Sequence, residues 1–265
     1  MRNNRMTVAD LRAAKGQRKL SMLYVETPEE AAAAAAAGVD LLSIISPVWT
    51  AEMREAAGDC FVQVGLLYGE LATAEDYLRA AFAARRVGGD AYYCAASVNT
   101  VRCLAEEGLP VVGHAGLIPS KASWTGGFRA VGKTAASALK IWRDMQALEA
   151  AGAVAVELEV VPAKVGAVLS RKSGLVTFGM GAGSGADAQY LFAEDVLGCT
   201  RGHRPRHAKT YADFRSEYDR LQSLRIDAFR AFVADVGSGA YPGPEHQVAI
   251  DPAELSDFER ALDRG

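Results

Sequence analysis

Short apolar runs alternate with longer stretches of mixed apolar and polar positions along most of the chain. Seven runs predict strands, and an eighth, weaker run follows them: Ser21–Tyr24, Leu41–Ile45, Phe61–Leu66, Ala91–Ala95, Val111–His114, Ala155–Glu159, Val176–Met180 and Leu197–Thr200. The stretches between them have helical periodicity and predict helices at Pro28–Ala37, Thr50–Ala57, Thr73–Val87, Thr100–Glu107, Lys133–Ala151, Ala163–Lys172 and Asp187–Val196. A long last helix is predicted at Tyr211–Val236, followed by a polar tail.

The regular order of strand and helix determines the predicted fold class. Strands that are apolar throughout are typical of a parallel sheet covered on both faces. Seven or eight such units in 265 residues favour a closed (β/α)8 TIM barrel, an α/β fold, over an open sheet. We therefore expect residues 1–265 to form a single barrel domain with a C-terminal helical extension.

Composition narrows the class of protein further. The net charge of −3 leaves no basic surface for nucleic acid. The longest apolar stretch, Ala31–Val39, is too short to cross a membrane, and no apolar segment follows the basic residues near the start. Four cysteines without metal-ligand spacing are typical of a reducing compartment. We expect a cytoplasmic protein that binds neither nucleic acid nor a membrane.

Two side chains at predicted strand ends are the candidate catalytic groups, His114 and Glu159. The C-terminal ends of barrel strands are where such enzymes display acid–base chemistry. Burial there would raise the pKa of a carboxyl group, as a general base requires. Glu157 lies close by, and we expect only one of the two carboxylates, Glu159, to reach the barrel mouth. The glycine-rich segment 115–132 follows His114, and its length predicts a lid over the site.

Glycines are concentrated between Gly179 and Gly185, directly after a predicted strand. Their spacing does not match the dinucleotide-binding fingerprint. Two interpretations remain: a turn that approaches an anionic group of a ligand, or tight packing at the barrel rim.

Several motifs occur in an order that indicates a known family. They are Gly113–Pro119, Gly126–Lys133, Leu148–Gly152, Leu158–Pro162, Gly179–Gly183, Gly202–Lys209 and Gly239–His246. Together they resemble ketopantoate hydroxymethyltransferase, a family of phosphoenolpyruvate mutase/isocitrate lyase-like barrels, from about Arg18 to His246. The resemblance implies transfer of a hydroxymethyl group from methylenetetrahydrofolate to a branched 2-oxo acid held by Mg²⁺. It also implies that Glu159 removes the C3 proton, that His114 contacts the enolate or carboxylate, and that the protein is a homo-oligomer.

The chain departs from this family at three strand ends. The family's Gly-Asp-Ser reads Ile45-Ser46-Pro47, and its Ala-Asp-Leu-Pro reads Val64-Gly65-Leu66-Leu67. Its Val-Lys-Ile-Glu reads Tyr92-Tyr93-Cys94-Ala95. Two metal-binding aspartates, a glutamate and a substrate-binding lysine are thereby absent, so we predict no metal ligands at these positions. Glu26 and Glu70 lie near strand ends and are the candidates for relocated ligands.

The predicted function follows from what is kept and what is lost. We expect an enzyme that forms the enolate of a 2-oxo acid or related carbonyl substrate without a metal, for aldol addition, retro-aldol cleavage or dehydration in specialised metabolism. Protein donors would take the place of the metal, namely Ser46, Tyr92 or Tyr93, His114, and Lys121 or Arg129. Two alternatives stay open: a true Mg²⁺-dependent 3-methyl-2-oxobutanoate hydroxymethyltransferase, and a barrel without catalytic activity. The cofactor is left open.

Overall fold

The computed structural model describes residues 5–264 and contains the predicted closed parallel barrel. The strands are paired in chain order, and the last pairs with the first. They are β1 (Leu20–Tyr24), β2 (Leu41–Ile45), β3 (Phe61–Gly65), β4 (Ala91–Tyr93), β5 (Val111–Gly116), β6 (Ala155–Glu159), β7 (Val176–Met180) and β8 (Ala188–Phe192). The (β/α)8 fold class and the first seven strands are therefore confirmed.

One helix of the barrel precedes β1, each of the other barrel helices follows a strand, and several of the helices begin in the same way. They are α1 (Val8–Ala14), α2 (Pro28–Ala36), α3 (Ala51–Ala56), α4 (Ala74–Val87), α5 (Val98–Glu106), α6 (Ala135–Ala150), α7 (Ala163–Lys172) and α8 (Ala193–Leu197). Before α1, α2, α3, α4 and α6 stands a threonine whose hydroxyl accepts the backbone N–H three residues later. This cap supplies a partner for a donor that the helix itself cannot satisfy.

The eighth strand is the main correction to the sequence prediction. Residues 188–192 form β8, within the segment predicted as the helix Asp187–Val196. The predicted strand Leu197–Thr200 begins at the last residue of α8 and continues into irregular chain. Closure explains the difference, because β8 pairs with β1 from Leu20↔Ala188 to Tyr24↔Phe192 and also with β7. Short segments are decided by such long-range pairing more than by local periodicity.

The two faces of the strands pack into two separate apolar clusters. One face contributes Leu42, Ile44, Val62, Val64 and Leu158 to the layer between the strands and the surrounding helices. The other face contributes Leu20, Leu41, Phe61, Val112 and Val176 to the interior of the barrel. Toward the C-terminal ends of the strands, the interior positions become polar, and this change of chemistry creates the site described below.

Three aspartates connect neighbouring strands at the N-terminal end of the barrel. Asp40, Asp90 and Asp187 each precede a strand directly, namely β2, β4 and β8. Each accepts a backbone N–H from the strand before it, donated by Ser21, Val62 and Thr177 at 2.8, 2.9 and 2.9 Å. Each also forms an ion pair with a basic side chain, provided by Arg18, by Arg5 and Arg54, and by Lys15. We call these three residues the aspartate clasps.

The chain divides into two compact units, and the second begins at Asp213. It contains α9 (Phe214–Ser238) and α10 (Pro252–Leu262), where the sequence predicts a long helix and a polar tail. Neither helix buries a residue, and several apolar side chains of α9 are exposed, Phe229 and Val233 among them. No helix of residues 5–264 combines the length and the apolar content that a membrane crossing demands. The predicted single-domain organisation stays a prediction.

Candidate active site

A cavity of about 420 Å³ opens where the strands end, at the C-terminal face of the barrel. Most of its lining comes from the last inward-facing positions of the strands, as in other proteins of this fold class. The lining residues are Tyr24, Glu26, Glu30, Ser43, Ile45, Gly65, Tyr93, His114, Pro119, Glu157, Glu159, Met180, Tyr190, Phe192, Ala193 and Glu194. Both candidate catalytic residues, His114 and Glu159, are among them.

Glu157 and Glu159 both line this cavity, which corrects the expectation that only Glu159 reaches it. Side chains alternate between the two faces of a strand, so residues two apart share a face. Leu158, between them, is fully buried in the apolar layer on the opposite face. The site therefore contains a pair of carboxylates, 5% and 8% exposed as residues.

His114 lies between the two carboxylates and is held by two strong hydrogen bonds. Its Nε2 is 2.7 Å from the carbonyl oxygen of Leu117, so this nitrogen carries a proton and donates it. Its Nδ1 is 2.7 Å from the hydroxyl of Tyr93, and the two groups are hydrogen-bonded. Burial, with the nearby charge of Glu157, raises the pKa of Tyr93 well above its ordinary value and keeps its hydroxyl protonated.

The ring of His114 is also close to both carboxylates. Its Nδ1 is 3.6 Å from Oε2 of Glu157, and its Nε2 is 3.4 Å from Oε2 of Glu159. The imidazole ring thus lies within about one hydrogen-bond length of both carboxylates, although its nitrogens are engaged by Tyr93 and Leu117. Such a pair, with a histidine between its members, has the composition that general acid–base catalysis requires.

Glu157 has a strongly perturbed protonation equilibrium. Burial raises its pKa from 4.5 to about 7, the charge of Glu159 adds to the rise, and His114 and Gln63 oppose it. Gln63 donates from Nε2 to Oε1 of Glu157 at 2.6 Å and to Oγ of Ser43 at 3.1 Å. Near neutral pH, Glu157 is therefore present both as an acid and as a carboxylate, whereas an exposed glutamate would be fully ionised.

The segment that follows β5 crosses directly over the end of β6. Gly116 has φ +91°, and a Cβ at this position would lie 2.3 Å from the carbonyl oxygen of Glu159. Leu117 donates its backbone N–H to that oxygen at 2.9 Å, and Val131 donates to the carbonyl of Val160 at 3.1 Å. Both ends of the segment are thus hydrogen-bonded to the chain at and next to Glu159. Only a glycine fits this crossing without displacing Glu159.

Between these ends, the segment contains a 3₁₀ helix, Pro119–Thr125, and two exposed aromatic side chains. Trp124 is 90% exposed and Phe128 is 78% exposed. Pro119 lines the cavity. The lid role of residues 115–132 stays a prediction, and its supporting observation is this contact with the cavity wall.

Four of the predicted substrate-binding residues lie outside the cavity. Tyr92 points to the helix layer and donates its hydroxyl to the carbonyl of Gly89, because Tyr93, one position on, takes the inward face. Ser46 is in the 3₁₀ turn after β2 and lines a separate groove. Lys121 donates to the carbonyl of Ala95 at 2.7 Å. Arg129 is exposed and donates to the carbonyl of Thr125.

The sequence does not single out some other residues of the site. Ser43, Gln63 and Tyr190 each occupy an inward position two residues before the inward position at the end of the strand. For Ser43 and Gln63, whose strands are otherwise apolar, the sequence contains a signal: a polar residue at such a position is costly unless it has partners at a site. Glu30 and Glu194 lie beyond the strand ends, where strand periodicity gives no signal.

Two of the glycines of 179–185 pack against α7. A Cβ on Gly183 would lie 2.4 Å from the Cβ of Ala163, and one on Gly185 would lie 2.4 Å from the Cβ of Ala167. Gly179 is similarly close to Ala186. Of the two interpretations of this segment, these contacts favour tight packing at the barrel rim.

The residues present do not fit the Mg²⁺ ion that the family resemblance implies. Within residues 5–264, no group of three histidine, cysteine, aspartate or glutamate side chains is arranged to hold a metal ion. Gly65 lines the cavity at the end of β3, where the family has an aspartate. Of the two candidates for relocated ligands, Glu26 lines the cavity and Glu70 lines the separate groove.

Comparison with known sequences agrees with the motifs. The model of the family described as ketopantoate hydroxymethyltransferase matches residues 50–244. The 3-methyl-2-oxobutanoate hydroxymethyltransferase of Cenarchaeum symbiosum is 38% identical over 178 residues, which are 66% of this chain and 65% of that protein. The protein of the same name from Frankia casuarinae is 44% identical over 149 residues, 56% of this chain and 48% of that protein. The chain thus spans about half to two thirds of the length of these relatives.

Comparison with solved structures agrees with the barrel fold. A putative phosphonomutase from Burkholderia cenocepacia has a TM-score of 0.53 at 15% identity, covering 87% of this chain and all of that one. A 2,3-dimethylmalate lyase of the phosphoenolpyruvate mutase/isocitrate lyase superfamily has a TM-score of 0.50 at 13% identity, covering 98% and 100%. At such low identity, the likeness concerns the fold alone.

Proposed function

The chain belongs to the ketopantoate hydroxymethyltransferase family, and from this premise we propose that it is an enzyme of aldol-type carbon–carbon chemistry. It removes a proton from the carbon next to a ketone, and the resulting enolate adds to the electrophilic carbon of a second substrate or is the product of the reverse cleavage. The observation that carries the proposal is the buried pair Glu157 and Glu159 on either side of His114.

Glu159 is the base in this proposal. It is the outer member of the pair, at the last position of β6, and its backbone is held by Leu117 and by the crossing at Gly116. A base that is fixed before the substrate binds loses little entropy in the reaction. Glu157 lies one layer deeper and, with its pKa at about 7, provides a group that can accept or return a proton.

The enolate oxygen needs hydrogen-bond donors, and the cavity offers hydroxyl groups for this purpose. Ser43 and Tyr190 both line it, from β2 and β8. The pKa of Tyr190 is raised well above its ordinary value by burial and by Glu157, so its hydroxyl keeps its proton. His114 acts in a different way, because both of its nitrogens are engaged by Tyr93 and Leu117. We assign it the role of holding the carboxylate pair and the start of the loop in place.

The reaction in this proposal is metal-independent, which is supported by the lost acidic residues at three strand ends. Donors of the protein then carry the charge that a metal ion would otherwise carry. Hydrogen bonds stabilise an enolate less than a divalent ion does, so this chemistry suits a substrate with a more acidic C–H than a simple 2-oxo acid has. This favours a specialised metabolic step. The small-molecule carbonyl substrate and self-association into a homo-oligomer are part of the same proposal.

Hydrogen–deuterium exchange tests the proton-abstraction step without knowledge of the second substrate. The protein is incubated in D₂O with 3-methyl-2-oxobutanoate, with its neutral N-methylamide and with its cationic N-[2-(dimethylamino)ethyl]amide. Exchange of the proton at C3 is followed by NMR, once in the presence of EDTA and once in the presence of Mg²⁺. We expect exchange of at least one compound in EDTA and a loss of about 100-fold or more in the Glu159→Gln variant, since a positioned base contributes about 10²–10⁴. The control is Glu52→Gln, an exposed glutamate on α3.

Each outcome has one meaning. Exchange that requires Mg²⁺ contradicts metal independence and supports the ordinary family reaction. No exchange under either condition, or equal exchange by wild type and Glu159→Gln, contradicts the proposal and supports a barrel without turnover.

A further inference from the structure

One wall of the cavity, formed by β1, β8 and the residues after them, combines aromatic rings with carboxylates. The rings are those of Tyr24, Tyr190 and Phe192, and the ring of Phe192 is 4.8 Å from that of Tyr24 and 6.0 Å from that of Tyr190, centroid to centroid. The carboxylates are those of Glu26, Glu30 and Glu194. We call these six residues the β1–β8 wall.

The carboxylates of this wall have few hydrogen-bond donors, and Glu26 and Glu194 are exposed. Tyr24 donates its hydroxyl to Oε1 of Glu26 at 2.8 Å, and the backbone N–H of Glu26 donates to Oε2 of Glu30 at 2.8 Å. The pKa of Glu194 is raised by burial and by the negative charges of Asp195, Glu26 and Glu30. Negative charges that interact in this way destabilise one another, and a cation bound beside them would relieve this.

The whole cavity has the same excess of negative groups. Five glutamates line it, and among residues 5–264 no lysine or arginine side chain does so. Below them, Oε1 of Gln63 is buried and has no hydrogen-bond donor within the described part of the chain, although its amide nitrogen binds two residues of the lining. A substrate with a free carboxylate would meet repulsion here, whereas a ligand rich in N–H donors would meet partners.

We propose that the β1–β8 wall is a subsite for an ammonium group, and that the carbonyl substrate carries a primary or alkylated amine and no free carboxylate. Aromatic faces attract cations, and carboxylates form charge-assisted hydrogen bonds with them. The inference rests on the proposed function only for the reaction at the carbonyl group, because binding of the ammonium group is measurable by itself.

Three compounds with the same ketone and different charge test the subsite. They are 3-methyl-2-oxobutanoate, its N-methylamide and its N-[2-(dimethylamino)ethyl]amide, which are anionic, neutral and cationic at pH 7.5; the tertiary amine of the last cannot condense with the ketone. Equilibrium dissociation constants are measured by calorimetry on the full chain, in EDTA and in Mg²⁺. We expect the cationic amide to bind at least about tenfold more tightly than the neutral one, and the anion to bind weakest.

Variants of the wall separate its contribution from general electrostatics. Glu194→Gln and Phe192→Leu are each expected to weaken the cationic amide by about fivefold or more and to leave the neutral amide within about twofold. Glu52→Gln changes the net charge by the same amount as Glu194→Gln, away from the cavity, and is expected to change neither. Circular dichroism confirms that each variant is folded.

The possible failures are distinguishable. If the anion binds as well as the cationic amide, if Mg²⁺ makes the anion the tightest ligand, or if none of the three binds at 10 mM, the ammonium subsite is overturned. If the cationic amide binds tightest and responds to Glu194→Gln but no compound exchanges its C3 proton, the subsite stands and the proposed function fails. Equal effects of Glu194→Gln and Glu52→Gln also overturn the subsite.

Discussion

Glu157 shows at the scale of one residue how burial alters the chemistry of a carboxyl group. Its neighbours supply one short hydrogen bond from Gln63, which does not compensate for the loss of water around an ionised group. The rise of its pKa to about 7 therefore affects the stability of the folded protein as well as the chemistry of the site. The protein retains a residue at this position that makes the folded state less stable at neutral pH.

The first prediction concerns this pH dependence. Below about pH 4.5, Glu157 is protonated in the folded and unfolded chain and has no effect; as the pH rises toward 7, only the unfolded chain ionises freely, so stability falls. A rise of the pKa from 4.5 to about 7 corresponds to about 3 kcal/mol. We expect Glu157→Gln to gain free energy of unfolding relative to wild type between pH 5 and pH 8, by about 1–3 kcal/mol in urea denaturation.

The exposed Glu52 is the control for this measurement, since Glu52→Gln removes the same charge without relieving burial. A stability difference between Glu157→Gln and wild type that stays constant from pH 5 to pH 8 would contradict the raised pKa.

At the scale of elements, the crossing of the 115–132 segment over β6 depends on Gly116. Two effects disfavour any residue with a Cβ at this position. The backbone is left-handed, with φ +91°, and the Cβ would lie 2.3 Å from the carbonyl oxygen of Glu159. The first effect is common to many helix and strand ends in this chain. The second is specific to this position, and it links the geometry of the loop to that of the proposed base.

We expect Gly116→Ala to lower the free energy of unfolding by at least about 2 kcal/mol more than Gly108→Ala does. Gly108 has φ +74°, and no atom lies within 4 Å of where its Cβ would be, so Gly108→Ala measures the cost of the left-handed backbone alone. Urea denaturation of both variants measures the difference. Equal losses would show that the contact with Glu159 is not as close as described.

The same scale explains how much of the fold the sequence could predict. Seven strands and the helices between them were correct to within a few residues, because each has a strong local period. β8 was missed since the apolar residues of 188–192 also fit a helical face, and only pairing with β1 and β7 resolves this ambiguity. α1 and α10 lie in polar segments whose caps, Thr7 and Asp251, are weaker signals than a buried face.

The site was predicted in part for a related reason. The sequence locates the strand ends, and His114, Glu159 and Tyr93, which lie near three of them, line the cavity; their roles stay predictions. Which residue of a strand faces inward depends on register, and a shift of one position separates Tyr93 from Tyr92. The family motif Gly-Asp-Ser corresponds to Ile45-Ser46-Pro47 and therefore favours Ser46, which follows the strand, over Ser43, which lies within it. Residues beyond the strand ends, such as Lys121 and Glu194, are positioned by contacts that strand periodicity does not encode.

At the scale of the whole molecule, the residues that hold neighbouring strands together and the residues of the proposed site lie at opposite ends of the barrel. The aspartate clasps join strands at the N-terminal end, whereas the carboxylates at the C-terminal end repel one another around a cavity. Asp187 is the most buried clasp, 4% exposed, and it contacts α1, α7 and β7 through Lys15, Ser170 and Thr177. Burial by itself would raise the pKa of Asp187, but the hydrogen bonds from Lys15 and Thr177 outweigh it and lower this pKa.

We expect Asp187→Asn to lower the free energy of unfolding by about 3 kcal/mol at pH 7, because it leaves the half-buried Lys15 without its counter-ion. The lowered pKa means that this stabilisation is present above the ordinary carboxyl range and is lost as the pH falls below about 4. The loss on mutation should therefore shrink with acidification. Asp144→Asn, which removes an exposed partner of Lys140, is expected to cost under about 1 kcal/mol. Similar losses for the two variants would contradict the role of the clasp.

The exposure of Trp124 has a practical consequence for spectroscopy. The other tryptophans are Trp49, only 6% exposed, and Trp142, half-buried on α6, so a water-borne quencher such as iodide reaches the indole of Trp124 far more readily. The part of the native fluorescence that iodide quenches thus reports mainly on the segment beside the barrel mouth. A blue shift of emission with reduced quenching when a carbonyl compound is added would record that segment closing, with no dye attached and no residue replaced.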